Sequence, residues 1–99
     1  MRDLEKIRDI VLVFVAGELA PVEILDVYIE ETADRDGEEY LRVGILYNGV
    51  SKDLDTRKTV SMIRLLRPIL LEKAGETAFP VISYISISDL GGERHFAAA

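Results

Sequence analysis

Cysteine and tryptophan are absent from this 99-residue chain, and histidine occurs once, as His95. Without thiols there is no disulfide framework, no thiolate nucleophile and no cysteine-based zinc or iron–sulfur site. Such usage suits a reducing compartment, and the expected location is the cytoplasm. Long apolar runs are also missing. The longest nearly uncharged apolar run, Ile10 to Gly17, falls well short of the roughly 20 residues that cross a bilayer. Asp3, Glu5 and Asp9 stand where a cleavable leader would carry positive charge, so a core helix accounts for this run better than a signal peptide does. Positive charge is scarce too. Twelve Lys and Arg oppose eighteen Asp and Glu, for a net charge of −6. A field of that sign repels phosphate polyanions at long range, which disfavours generic nucleic-acid binding.

Catalytic signatures are lacking as well. No serine stands in a G-x-S-x-G context, no G-x-x-x-x-G-K occurs, and the glycines form no dinucleotide fingerprint. The expectation is therefore a non-catalytic protein without a cofactor or resident metal.

What remains is an ordinary globular composition, 48% apolar and 30% charged, on a chain long enough for one core but not two. We expect a single α+β domain over residues 1–90. The GGERHFAAA segment at 91–99 has no pattern and is expected to be a flexible tail. Leu4, Ile7, Val11 and Phe14 recur at helical spacing and predict a helix from about Arg2 to Ala16, with Gly17 as its C-terminal cap. Pro21, lacking an amide donor, belongs at the start of a strand.

In VEILDVYIEE, Leu25, Val27 and Ile29 alternate with Asp26, Tyr28 and Glu30. In YLRVGILYN, Leu41, Val43, Ile45 and Tyr47 alternate with Tyr40, Arg42 and Gly44. Period two with one apolar side predicts an antiparallel pair. The TADRDGEE link holds Asp36-Gly37, a pair suited to positive φ, and so predicts a hairpin tip. A calcium loop with Gly37 at its sixth position would need oxygen ligands at positions one and twelve. Those positions hold Thr32 and Val43, so the acids are expected to keep an edge soluble rather than to bind metal.

Asn48-Gly49 marks a second turn, and Ser51, Asp53 and Asp55 are candidate N-caps for a helix from about Asp55 to Lys73. Pro68 inside it predicts a kink near Arg64, or two shorter helices. Gly75 ends the helix. FPVISYISISD then gives a third strand whose apolar residues on both faces suggest a position away from the sheet edge. The expected order is helix, strand, strand, helix, strand, with both helices on one face of a three-stranded sheet.

Two surfaces follow. Arg57, Arg64 and Arg67 gather on one side of the long helix, within a segment of five bases and two acids, while Glu23 to Arg42 carries eight acids against two arginines. Arginine forks bind carboxylates, so an acidic protein or another copy's hairpin suits this helix. The uncovered sheet face is expected to expose Tyr28, Tyr40, Ile82 and Tyr84, an apolar patch that a homodimer or protein partner would bury. The partner-binding candidates are thus Arg57, Arg64, Arg67, Tyr28, Tyr40 and Tyr84.

The run from Ile24 through Ser88 resembles, in element order, the type II KH-like domain of ribosome-binding factor A, where a leading helix precedes a hairpin, a long helix and a last strand. That resemblance implies an RNA- or ribosome-associated role. This chain departs from it in its acidity and in lacking a G-x-x-G clamp, so no RNA-binding residue is carried over. The strings DRDGEEYLRV, LDTRK, RLLRP and FPVISYIS are similar to those of small acidic accessory partners of HEPN-type toxin proteins. This second resemblance implies an antitoxin-like, neutralising or regulatory partner.

Overall fold

The structure, a computed structural model, describes residues 2–90; the tail expected at 91–99, and His95 with it, lies outside the described residues. Helix α1 spans Leu4–Glu18. Asp3 caps it, its side chain accepting from the Lys6 N–H at 3.0 Å. Ile7, Val11 and Val15, four residues apart, are buried on one stripe, while Val13 faces solvent. The helix therefore tolerates its β-branched residues and runs past Gly17, the expected cap, to a C-cap at Leu19. A turn containing a cis Ala20–Pro21 bond leads into the sheet.

Strands β1 (Glu23–Ala33) and β2 (Glu39–Asn48) form the expected antiparallel pair. The expected facing of β1 holds for Val27 and Ile29 and fails at Leu25. The register slips between Ile24 and Asp26, a bulge that leaves Leu25 without a partner on β2. Ile24, opposite Tyr47, joins the core in its place, and Leu25 is 41% exposed. At the hairpin tip the Asp34 carboxylate accepts from the N–H groups of Asp36 and Glu38, and Gly37 takes the left-handed conformation at φ 84°. An Asx-type turn closed by a glycine accounts for the acidic loop.

A short 3₁₀ turn at Ser51–Asp53 precedes helix α2, Thr56–Ala74, and Asp55 is the N-cap that forms. Met62, Leu66 and Leu70 are its buried stripe. The alternative of two shorter helices is overturned, because α2 continues unbroken through Pro68. Pro68 and Arg64, the residue whose carbonyl loses its donor, are both exposed, so water can satisfy that group. Gly75, at φ 62°, ends α2; the Glu76 N–H returns to the Leu70 carbonyl in a Schellman arrangement.

Strand β3 (Phe79–Ser86) then lies parallel to β2, and a short helix α3 (Ile87–Leu90) follows. The sheet order is β1-β2-β3. The expectation that β3 avoids the edge is thus corrected: β2 is central and β3 is an edge strand. A parallel neighbour requires a long crossover, and the segment carrying α2 supplies it. Both long helices cover one face, where α1 and α2 residues join Val27, Leu41, Val43 and Ile45 in one core. The fold is an α+β arrangement with a mixed three-stranded sheet.

Candidate interaction surface

Register and parity fix which side chains share the helix-free face. Tyr28 is paired with Gly44, Glu30 with Arg42, and Thr32 with Tyr40. Across the other junction Tyr40 meets Phe79, Arg42 meets Val81, Gly44 meets Ser83 and Leu46 meets Ile85. Directly opposite residues point the same way, so these form one surface. Tyr28, Val81 and Phe79 are 43%, 43% and 45% exposed. Gly44, with no side chain, floors a groove of about 410 Å³ between Tyr28, Arg42, Val81 and Ile85. Arg42 and Glu30 approach to 3.7 Å across the strands, both well exposed.

Tyr28 and Tyr40 thus occupy the face expected of them. Ile82 and Tyr84 do not. They stand opposite Val43 and Ile45 and pack against the core, and the Tyr84 hydroxyl donates to the Thr59 carbonyl of α2 at 3.5 Å. Burial pushes its phenol up to about 12. The parallel register sets this outcome: β3 lies with its even residues toward the helices, and Phe79, Val81, Ser83 and Ile85 take the outer side. Tyr84 is a core tyrosine with a polar tip beneath α2.

Arg57, Arg64 and Arg67 are all exposed on α2. Arg67 reaches the start of β3, its guanidinium 5.1 Å from the centre of the Phe79 ring. That stack joins the basic side of α2 to the first exposed aromatic of β3. Beside it, Arg67, Phe79, Arg2 and the acidic hairpin tip enclose an open cleft of about 590 Å³.

Arg2 is the residue the sequence did not mark. Its guanidinium binds Glu76 twice, at 2.5 and 3.2 Å, and reaches Glu31 at 2.5 Å and Glu39 at 3.3 Å. Glu76 is almost wholly buried and also accepts from the Ala78 N–H at 2.8 Å. Burial raises the Glu76 carboxyl, but the Arg2 and Ala78 hydrogen bonds outweigh it and hold the group below the usual range. The Glu76 hydrogen bond in turn raises the Arg2 guanidinium, with further help from Glu31 and Glu39. This network ties the chain start to β1, β2 and the α2–β3 connection. The separation of 74 residues between Arg2 and Glu76 leaves no local signal to find it.

The two edges of the sheet differ. On β1, Arg8 donates to the Val27 carbonyl at 3.1 Å and to Asp26 at 2.5 Å, while Asp26 accepts from the Val27 N–H at 2.8 Å. The backbone of Val27 is satisfied by side chains of its own molecule. Burial raises the Asp26 carboxyl, yet the Arg8 and Val27 contacts prevail and lower it overall. Tyr28 shifts upward through burial and the nearby Asp26 charge. Among the described residues no group of three or more His, Asp or Glu side chains is placed to hold a metal ion, and no helix is long and apolar enough to cross a membrane. Comparison with known proteins returns no match: no protein family, curated protein or solved structure aligns with this chain.

Proposed function

We propose that the protein is a non-catalytic interaction module, an accessory or antitoxin-like partner of another protein in the cytoplasm. The observation that carries this reading is the helix-free sheet face, where Tyr28 and Val81, which line the Gly44 groove, and Phe79 at the start of β3 are each more than two-fifths exposed. Aromatic and aliphatic groups collected on one rigid sheet, with a charged pair at the rim, have the composition of a docking surface. Arg67, stacked on Phe79, extends the surface toward Arg64 and Arg57 and favours an acidic partner. Tyr84 is left out of it.

The test is affinity capture of the tagged full chain at native expression. Wild type is expected to hold one protein in fixed ratio, and Tyr28→Ala combined with Val81→Lys to release it. Val60→Lys, on an exposed position of α2, should leave the complex intact. A wild-type chain recovered without a partner, or a complex indifferent to the double variant, would count against the reading. The same three arginines motivate the alternative of an RNA-associated domain. That alternative requires salt-sensitive RNA retention that disappears in Arg64→Glu with Arg67→Glu.

A further inference from the structure

We infer that the free edge of β3 pairs with the β3 edge of a second copy, antiparallel about a two-fold axis near Ser83, to give a continuous six-stranded sheet. The proposal goes beyond the preceding reading, because it uses a strand edge and not the helix-free face.

The two edges of the sheet contrast in charge and regularity. β1 carries Glu23, Asp26, Glu30 and Glu31, a bulge at Leu25, and the Arg8–Asp26 clasp on the Val27 backbone. Each of these blocks strand addition. From Phe79 to Ser88 the chain holds ten consecutive residues without a charge, in a protein that is 30% charged. β3 has no register irregularity against β2. Pro80 interrupts donation only near its start, leaving Val81 onward with complete backbone groups. A regular, uncharged edge rich in Val, Ile and Tyr is the kind that recruits another strand.

Charge identifies the occupant as a second copy. A net charge of −6 opposes self-association unless the acids stay apart. The acidic tip lies beyond the Ala33/Glu39 end of the hairpin, the same end at which Phe79 enters the sheet. Antiparallel pairing of β3 with itself sends the two Phe79 ends in opposite directions, which places the two acidic tips at opposite corners of the assembly. Pairing through β1 would instead bring its acids together. Joining β3 of one copy to β1 of the next would build an open chain, whereas β3 on β3 closes. Around Ser83 the facing residues also match: Ile82 with Tyr84 on the helix side and Val81 with Ile85 on the other.

The absence of cysteine makes the test clean. At the axis the two copies of residue 83 come within about 4.5–5.5 Å at Cα, inside the span a disulfide bridges. Ser83→Cys, exposed and the sole thiol, is expected to form an intermolecular disulfide under mild oxidation. Glu30→Cys, exposed on β1 and remote from the axis, should form no intermolecular disulfide under the same conditions. In sedimentation, wild type should run at twice 11.1 kDa and Ser83→Lys at 11.1 kDa with an unchanged circular dichroism spectrum. A wild-type mass of 11.1 kDa overturns the pairing, as does a dimer in which Ser83→Cys cross-links no better than Glu30→Cys. If such a monomer still captures a heterologous protein, only this pairing fails and the interaction reading stands.

Discussion

At the scale of single residues, the Glu76–Arg2 pair is the point on which local stability turns. Glu76 is buried with two charge-assisted bonds from Arg2, so removing it leaves a guanidinium held only by the more exposed Glu31 and Glu39. Breaking a buried pair costs about 3–5 kcal/mol. Because Arg2 keeps two outer carboxylates, Glu76→Ala should cost about 2–3 kcal/mol in chemical denaturation, at and below the low end of that range. The pH dependence follows in sign. The Glu76 carboxyl titrates lower in the folded state than its ordinary 4.5, so its contribution is complete above that value and is lost as pH falls through the folded value. Acid titration of wild type against Glu76→Gln should show a steeper loss below pH 4.5 in wild type. Gly49 gives a second prediction at this scale. It sits at φ 141°, and a Cβ there would lie 2.6 Å from an Asp53 carboxylate oxygen that accepts from the Val50 N–H. Gly49→Ala should therefore lower thermal stability by more than the ~1 kcal/mol typical of a glycine replaced at positive φ.

At the scale of elements, the bulge in β1 decides which apolar residues matter. Leu25 and Val27 look equivalent in the alternating pattern, yet Leu25 is 41% exposed and Val27 is 1% exposed. Leu25→Lys should change stability by no more than about 0.5 kcal/mol, whereas Val27→Ala should cost about 1–2 kcal/mol and Leu66→Ala, in the buried stripe of α2, about 2–5 kcal/mol. Urea denaturation of the three variants separates them. Helical spacing and strand alternation made the five main elements legible, along with the Asp55 and Gly75 boundaries and the Asp36-Gly37 turn. Each of these is a local rule acting on neighbouring residues. What escaped depends on longer-range geometry. The bulge at Leu25 requires the opposing register, and the orientation of Tyr84 requires the parallel placement of β3. Pro68 predicts a kink or two shorter helices, and its position on the solvent side of α2 overturns the second alternative by letting the helix continue.

At the scale of the whole molecule, the distribution of cover sets the function proposed for it. Two helices bury one side of the sheet, and Arg8 with Asp26 guards the β1 edge. The opposite face and the β3 edge lack comparable protection among the described residues. The candidate surface was half legible in the sequence: Tyr28, Tyr40 and the three arginines could be placed by parity and helical spacing. Val81, Phe79 and the Gly44 groove could not, because they depend on how β3 docks. Hydroxyl-radical footprinting of the captured complex against the free chain tests the central claim most directly. The account predicts that Tyr28 and Phe79 are oxidised readily in the free chain and are protected in the complex, while Tyr47, 1% exposed, stays unreactive in both. Equal oxidation of Tyr28 and Phe79 in the free and bound states would contradict it.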